Sequence, residues 1–178
     1  MKLALGCGHL DYRSKGYKNV DIRKLDHVDY VCDIGKKLPF EDSTIDEILA
    51  ESVLEHIPMG RSVGIWEDPI SHVNTILVLA EWRRVLKKGS KCIIKVPNLR
   101  ALFLRYMEDM ISPRDFWMYV YGGQNYPENT HVSGFFPETL IWAMKVAGFN
   151  DIVIMNAHNI NETIDKDVAW EMAGIGVR

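Results

Sequence analysis

Apolar and polar positions alternate along the chain in blocks that read as strands and helices by turns. A short apolar run at 2–5 meets the glycine turn of "LGCG" and reads as a strand, and 18–21 reads as a second. "VDYVCD" at 28–33 is a third, with β-branched and aromatic residues between turn-formers. "TIDEILAE" at 44–51 is a fourth, and "KCIIKV" at 91–96 is a fifth, closed by Pro97. Between these two, "VNTILVLAEWRRVLKKG" sets Ile76, Leu77, Leu79, Ala80, Trp82, Val85 and Leu86 at helical spacing. Lys87 and Lys88 fall in the last turn expected of that helix, with Gly89 just past it. Later, Pro137 takes a first helical position and "ETLIWAMKVAGF" runs on to Gly148 as its C′ glycine. "FNDIVIM" and "VAWEMAGIGV" then read as two strands joined by a polar loop, an antiparallel pair.

Continuously apolar strands alternating with helices predict an α/β fold, a mostly parallel sheet covered on both faces. At 178 residues, without repeat, linker or low-complexity tract, the expectation is one domain spanning 1–178. Only twelve residues separate Leu5 from Lys18, the minimum for a parallel crossover, so "HLDYRSKGY" holds a stub helix or a loop. The stretch at about 98–136 follows the fifth strand as an insertion. Asn98 can cap a helix over "LRALFLRYMEDM", and "PRDFWMYVYGG" reads as a proline-started helix ending at Gly122. Its Phe116, Trp117, Tyr119 and Tyr121 could line a pocket, although core packing is the more ordinary use of such aromatics. "GGQNYPENTHVSG" is polar and glycine-rich, as a loop over a site would be.

Charge and composition then narrow the chemistry. The net charge is −3 with both signs interleaved, so no nucleic-acid partner or anionic membrane surface is expected. No apolar stretch nears the ~20 residues of a membrane span, and no signal-peptide core follows the first residues, so the expected location is the cytoplasm. Cys7, Cys32 and Cys92 are odd in number and far apart, which suggests neither a disulfide framework nor a zinc site. His27, His72 and His158 have no partner at metal-ligand spacing, and no metal is expected. Arg83, Arg84, Lys87 and Lys88 suit a solvated helix end, and Trp66 to Pro69 reads as a surface turn without a role.

In open α/β sheets ligands bind just past the carboxyl ends of strands. Gly6 and Gly8 follow the first strand, Asp21 ends the second, Asp33 the third, and Glu51 and Ser52 close the fourth. A glycine turn or a single acid there would be unremarkable. Three acids and a glycine turn after successive strands form a pattern.

Read in order, these pieces resemble the class I S-adenosylmethionine-dependent methyltransferases, in particular the small methyltransferase type 11-like group. The matching motifs are "LGCG" at 5–8, "NVD" at 19–21, Asp33 with "LPF" at 38–40, "STIDEI" at 43–48, "LEHI" at 54–57, "RVLKKG" at 84–89 and "VP" at 96–97. "YGGQ" at 121–124, with His131 and "GF" at 134–135, adds to the likeness. The resemblance implies a Rossmann-like, seven-stranded, mostly parallel sheet with an antiparallel C-terminal pair and helices on both faces. It implies S-adenosylmethionine as cofactor and a small-molecule or saccharide-type acceptor methylated by in-line transfer. Gly6, Cys7 and Gly8 would pack along the methionine part, Asp21 would take the ribose hydroxyls, and Asp33 would hydrogen-bond the adenine amino group with the Ile34 backbone nearby; Leu5 and Ile22 are further candidates for cofactor binding. Glu51 and Ser52 would border the sulfonium and acceptor, while Leu38 and Phe40 pack nearby. "LEHI" would begin the next helix, where His56 is either catalytic or, the favoured reading, a helix-start hydrogen-bonding group. His131 is the candidate base, the alternative being a loop histidine held for structure. The usual third glycine is missing, which suits a cofactor without pyrophosphate and counts against a nicotinamide enzyme. A non-catalytic module that only binds S-adenosylmethionine is the alternative function.

Overall fold

The apolar runs assemble into one seven-stranded sheet, seen in a computed structural model that describes residues 1–58, 73–157 and 170–178. Its strands are β1 (Lys2–Leu5), β2 (Tyr17–Asp21), β3 (Tyr30–Val31), β4 (Ile45–Glu51), β5 (Leu86–Pro97), β6 (Asn150–Asn156) and β7 (Glu171–Val177). They lie in the order β3-β2-β1-β4-β5-β7-β6. The first five pair in parallel, and β7 runs antiparallel to both β5 and β6. This is the Rossmann-like, mostly parallel sheet with an antiparallel C-terminal pair that the motifs imply. The helices are α1 (Val73–Val85), α2 (Leu99–Met107), α3 (Pro113–Tyr121) and α4 (Pro137–Val146). None among the described residues is long and apolar enough to cross a membrane.

Successive strand residues point to opposite faces, so both faces of a covered sheet must be apolar. Leu3 and Leu5 of β1, with Ile45, Ile48 and Ala50 of β4, face a large core completed by Leu79, Trp82 and Val85 of α1 and by Leu140 and Met144 of α4. Ala4 and Leu49 face the other way, onto Cys7 and Tyr12. Tyr12 precedes a 3-10 turn over Arg13–Lys15 that Gly16 closes at φ +84°, so the short crossover holds a stub rather than a full helix. Asn98 caps α2 through its side-chain oxygen, and Pro113 starts α3 behind a Ser112 cap.

Three elements differ from the sequence pattern. The helix over "VNTILVLAEWRRVLKKG" stops at Val85, and Leu86 to Gly89 belong to β5. Its last carbonyls are already used, Arg84 O by the Ser43 amide at 3.1 Å and Val85 O by the Thr44 amide at 2.9 Å, so the chain leaves the helix there. The third strand shrinks from six residues to Tyr30–Val31, because β2 ends at Asp21 and leaves it only two partners at the sheet edge. "LEHI" forms a 3-10 turn over Leu54–His56 rather than a helix start. Trp66 to Pro69, His72 and His158 lie outside the described residues.

α1 also positions the turn after β3. The Trp82 indole N–H donates to Ile34 O at 3.1 Å, and the Leu38 amide donates to Glu81 at 2.7 Å. Arg84 donates to Phe40 O at 3.0 Å. The "LPF" motif is therefore held by one face of a helix, with Leu38 buried beneath it.

Candidate functional site

β1 lies between β2 and β4, which makes it the point where strand order reverses. Helices or turns then leave its two sides in opposite directions and open a crevice at the carboxyl ends of the strands. A cleft of about 230 Å³ is found there, lined by Gly6, Gly8, Asp21, Ile22, Asp33, Ile34 and Ser52 among others. Gly6 and Gly8 take φ of +62° and +60°, a region that costs an L-residue side chain energy. A Cβ on Gly6 would overlap Cγ2 of Val53, so the backbone can follow the cleft floor only as glycine. The Gly8 amide donates to Asp21 Oδ2 at 2.8 Å, tying the glycine turn to the end of β2. Asp21 Oδ1 accepts from the Arg23 amide at 2.9 Å and from Arg23 Nε at 3.1 Å. Asp33 Oδ1 accepts from the Gly35 amide at 2.9 Å, and its carboxylate pairs with Lys36 at 3.0 Å on the open side. Ser52 is held at φ +50° just past β4, its hydroxyl donating to Glu171 at 3.2 Å. Non-glycine residues in that conformation gather at functional sites.

Three of the expected residues stand back from the cleft. Leu5 and Cys7 are buried beneath it, and burial chiefly pushes the Cys7 thiol up to about 11, so it stays protonated and inert. Glu51 turns to Lys95, 3.2 Å away and almost wholly buried, and also meets the Tyr12 hydroxyl. Conversely, the cleft includes residues that were not expected to line it. Arg23 leans over the Tyr126 ring at 5.2 Å, and Tyr126 and Glu128 line the cleft from the loop at 122–134. Val53 and Ile57 add apolar wall. Arg23, two residues past an acid, and Ile57, inside "LEHI", carried some signal. Tyr126 lies in the loop that composition already placed over a site, but nothing in the sequence singled out that residue.

The same loop is pinned to the 3-10 turn. The amides of Val132 and Ser133 donate to Glu55 O at 2.9 and 3.0 Å, and the Ser133 hydroxyl reaches Leu54 O at 3.2 Å. His56 Nδ1 lies 3.1 Å from Thr130 O, and His131 Nδ1 lies 3.1 Å from Tyr119 O. The two imidazoles meet edge to face at 4.8 Å between centroids. His56 lines the cleft and a neighbouring cavity of about 570 Å³, whereas His131 stands behind it. Burial, and then the nearby His56, push His131 down to about 4, leaving a neutral ring that is a weak base at neutral pH. Burial likewise lowers His56, while the Thr130 and Ser52 carbonyls pull the other way. Glu55 is pushed up to about 8, mainly by burial.

Residues 7–94 match the family model described as a methyltransferase domain. No curated protein matches the chain by sequence. Among solved structures it is similar to an S-adenosylmethionine-dependent methyltransferase from Archaeoglobus fulgidus, at 18% identity and a TM-score of 0.58, covering 99% of this chain and 85% of that one. It is also similar to a methyltransferase from Thermotoga maritima described as a possible histamine N-methyltransferase, at 17% identity and a TM-score of 0.60, covering 99% and 81%. A phosphoethanolamine N-methyltransferase from Haemonchus contortus in complex with S-adenosyl-L-methionine shares the fold at 15% identity and a TM-score of 0.57, covering 99% of this chain and 48% of that one. The residues present suit that cofactor: a glycine cradle that a Cβ would fill, two carboxylates spaced along the cleft, and isoleucines between them. The segment 7–94 thus matches the methyltransferase domain family, and the whole chain shares the fold of S-adenosylmethionine-dependent methyltransferases.

Proposed function

We propose that the chain, as a single domain with its acceptor side in the insertion at about 98–136, methylates a small-molecule or saccharide-type acceptor at the cleft beside β1. The observation that carries this reading is one cleft lined both by the glycine turn with Asp21 and Asp33 and by Tyr126 and Glu128 of the loop at 122–134. Gly6 and Gly8 cradle the methionine part, and Asp21 accepts hydrogen bonds from the ribose. Asp33 accepts from the adenine amino group, with Ile22 and Ile34 against the base. Leu5 and Cys7 support the turn from below, Glu51 sets the field at the end of β4, and Ser52 borders the acceptor. The cofactor supplies a methyl group already activated as a sulfonium, so the protein's task is to align and desolvate. His131 acts on the acceptor side, through the His56 pair, rather than on the cofactor.

Calorimetric titration with S-adenosylmethionine and S-adenosylhomocysteine, with NADH as control, tests the cofactor half. Binding of the first two and not the third is expected, and no binding of either would overturn the reading. A radiolabelled methyl-transfer screen over sugars, small alcohols, phenols and amines, with protein and RNA as comparison substrates, tests the acceptor half. His131→Ala is expected to leave cofactor affinity nearly unchanged while cutting turnover at least tenfold.

A further inference from the structure

Behind the cleft, three side chains able to hold a metal ion converge from two segments far apart in the chain. Glu55 is 1% exposed, and neither of its carboxylate oxygens has a hydrogen-bond partner among the described residues. Native interiors satisfy nearly all such groups, and an unpaired buried carboxylate points to a missing partner. One ligand atom from each of Glu55, His56 and His131 lies within 4.8 Å of the other two. Each imidazole has its Nδ1 backed by a main-chain carbonyl, Thr130 O for His56 and Tyr119 O for His131, both at 3.1 Å. A carbonyl only accepts, so Nδ1 carries the proton on both rings and the Nε2 lone pair is left to bind. Backing of this kind orients metal-bound histidines and fixes their tautomer.

We infer that Glu55, His56 and His131 form a site for one divalent first-row transition-metal ion, zinc fitting best. Two neutral imidazoles and one carboxylate are the ligand set of an open catalytic zinc site, with a fourth position free. Tetrahedral zinc at bonds of ~2.0–2.1 Å sets its ligands roughly 3.3 Å apart, so the three donors close by up to about 1.5 Å on binding. The Glu55 side chain and the loop bearing His131 can supply that movement. Because His56 lines the cleft, the site adjoins it. A cation there lowers the pKa of a bound hydroxyl, help that an alcohol or phenol needs and a free amine does not. The preference for a hydroxyl acceptor rests on the methyl-transfer reading, whereas the cation site does not. The spacing of histidines along the chain could not reveal it, since His131 joins Glu55 and His56 only through the loop that Ser133 and Val132 pin down.

The test uses the full chain, freed of metal by a chelator and titrated with zinc by calorimetry and with cobalt by visible absorption. One equivalent of zinc binding with micromolar or tighter affinity is expected, with cobalt d–d bands and no thiolate charge-transfer band. Glu55→Gln and His131→Asn are each expected to weaken zinc at least tenfold, with circular dichroism confirming the fold. Should Glu55→Gln fail to fold, His131→Asn, placed on a surface loop, carries the comparison alone. The proposal is overturned if the wild-type chain binds neither ion, if a cysteine-type cobalt spectrum appears, or if His131→Asn binds zinc as tightly as the wild type. Titrating the metal-free chain with S-adenosylmethionine keeps the two readings apart, since cofactor binding without zinc binding would sink only the metal site.

Discussion

Asp21, proposed to take the ribose, already has most of its hydrogen-bonding capacity engaged. A carboxylate offers about four lone-pair sites. Gly8 takes one on Oδ2, and the Arg23 amide and Nε take two on Oδ1. Two ribose hydroxyls therefore cannot both be accepted until Arg23 lets go, and the contact of Arg23 with the Tyr126 ring opposes that release. Arg23 thus occupies the place proposed for the ribose, compensating a carboxylate that is almost fully buried. Replacing Arg23 with Gln should weaken the free protein by about 1.5–3 kcal/mol, the scale of a hydrogen bond to a charged group. The same change should tighten S-adenosylmethionine about three- to tenfold, because no ion pair has to be broken. Asp21→Asn should do the opposite to affinity, weakening it by ~30-fold or more. Urea denaturation and calorimetry read the two effects separately, and weaker cofactor binding by Arg23→Gln would refute the competition.

The ends of β4 and β5 carry a second buried charge. Lys95, with its side chain 2% exposed, pairs with Glu51 at 3.2 Å, and the Tyr12 hydroxyl joins Glu51 from the stub between β1 and β2. Taking one partner from such a pair strands the other charge, whereas replacing both with apolar or neutral groups is nearly neutral. Lys95→Met should therefore cost about 3–5 kcal/mol, and the double variant Glu51→Gln/Lys95→Met should recover most of it. Equal urea midpoints for single and double variants would show that the pair is not coupled. This network also marks where the sequence was legible and where it was not. β1, β4, α4 and β6 were readable within a residue or two, and β7 within three, since alternation, proline and glycine act locally. The glycine turn, Asp21 and Asp33 were readable because strand ends are where such folds bind ligands. The end of α1 was misread, because "RVLKKG" has a sound helix terminus and loses it only to amides of Ser43 and Thr44. Glu51 stood at the expected strand end, but its turn toward Lys95 depends on β5 lying next to β4. Arg23 over Tyr126 and the Glu55, His56 and His131 cluster are likewise products of tertiary contact.

At the scale of the whole molecule, the cleft and the loop at 122–134, the proposed acceptor side, are fastened to each other. Glu55 O accepts from both Val132 and Ser133, and His56 holds Thr130, so the foot of the loop at 122–134 is fastened to the turn after β4. Tyr126 and Glu128, further along that loop, lie against the glycine turn and Arg23 through the cleft. A ligand that fills the cleft must therefore stabilise both ends of this arrangement, although they are over a hundred residues apart in the chain. At a concentration about a hundredfold above its Kd, S-adenosylmethionine should add ~2.7 kcal/mol, or roughly 5–10 °C in melting temperature for a chain of this size. Hydrogen exchange should show where that energy resides. Protection is expected at 6–8, 21–23, 33–35 and 124–133, with little change in α4 and β6, which are not among the residues lining the cleft. Local openings reach exchange through the least stable contacts, and the loop's few main-chain bonds make it the segment with most to gain. Protection confined to 6–8, 21–23 and 33–35 would mean that the acceptor loop is independent of the cofactor. Protection reaching the loop would mean that cofactor binding also forms the acceptor side, in the order that in-line transfer requires.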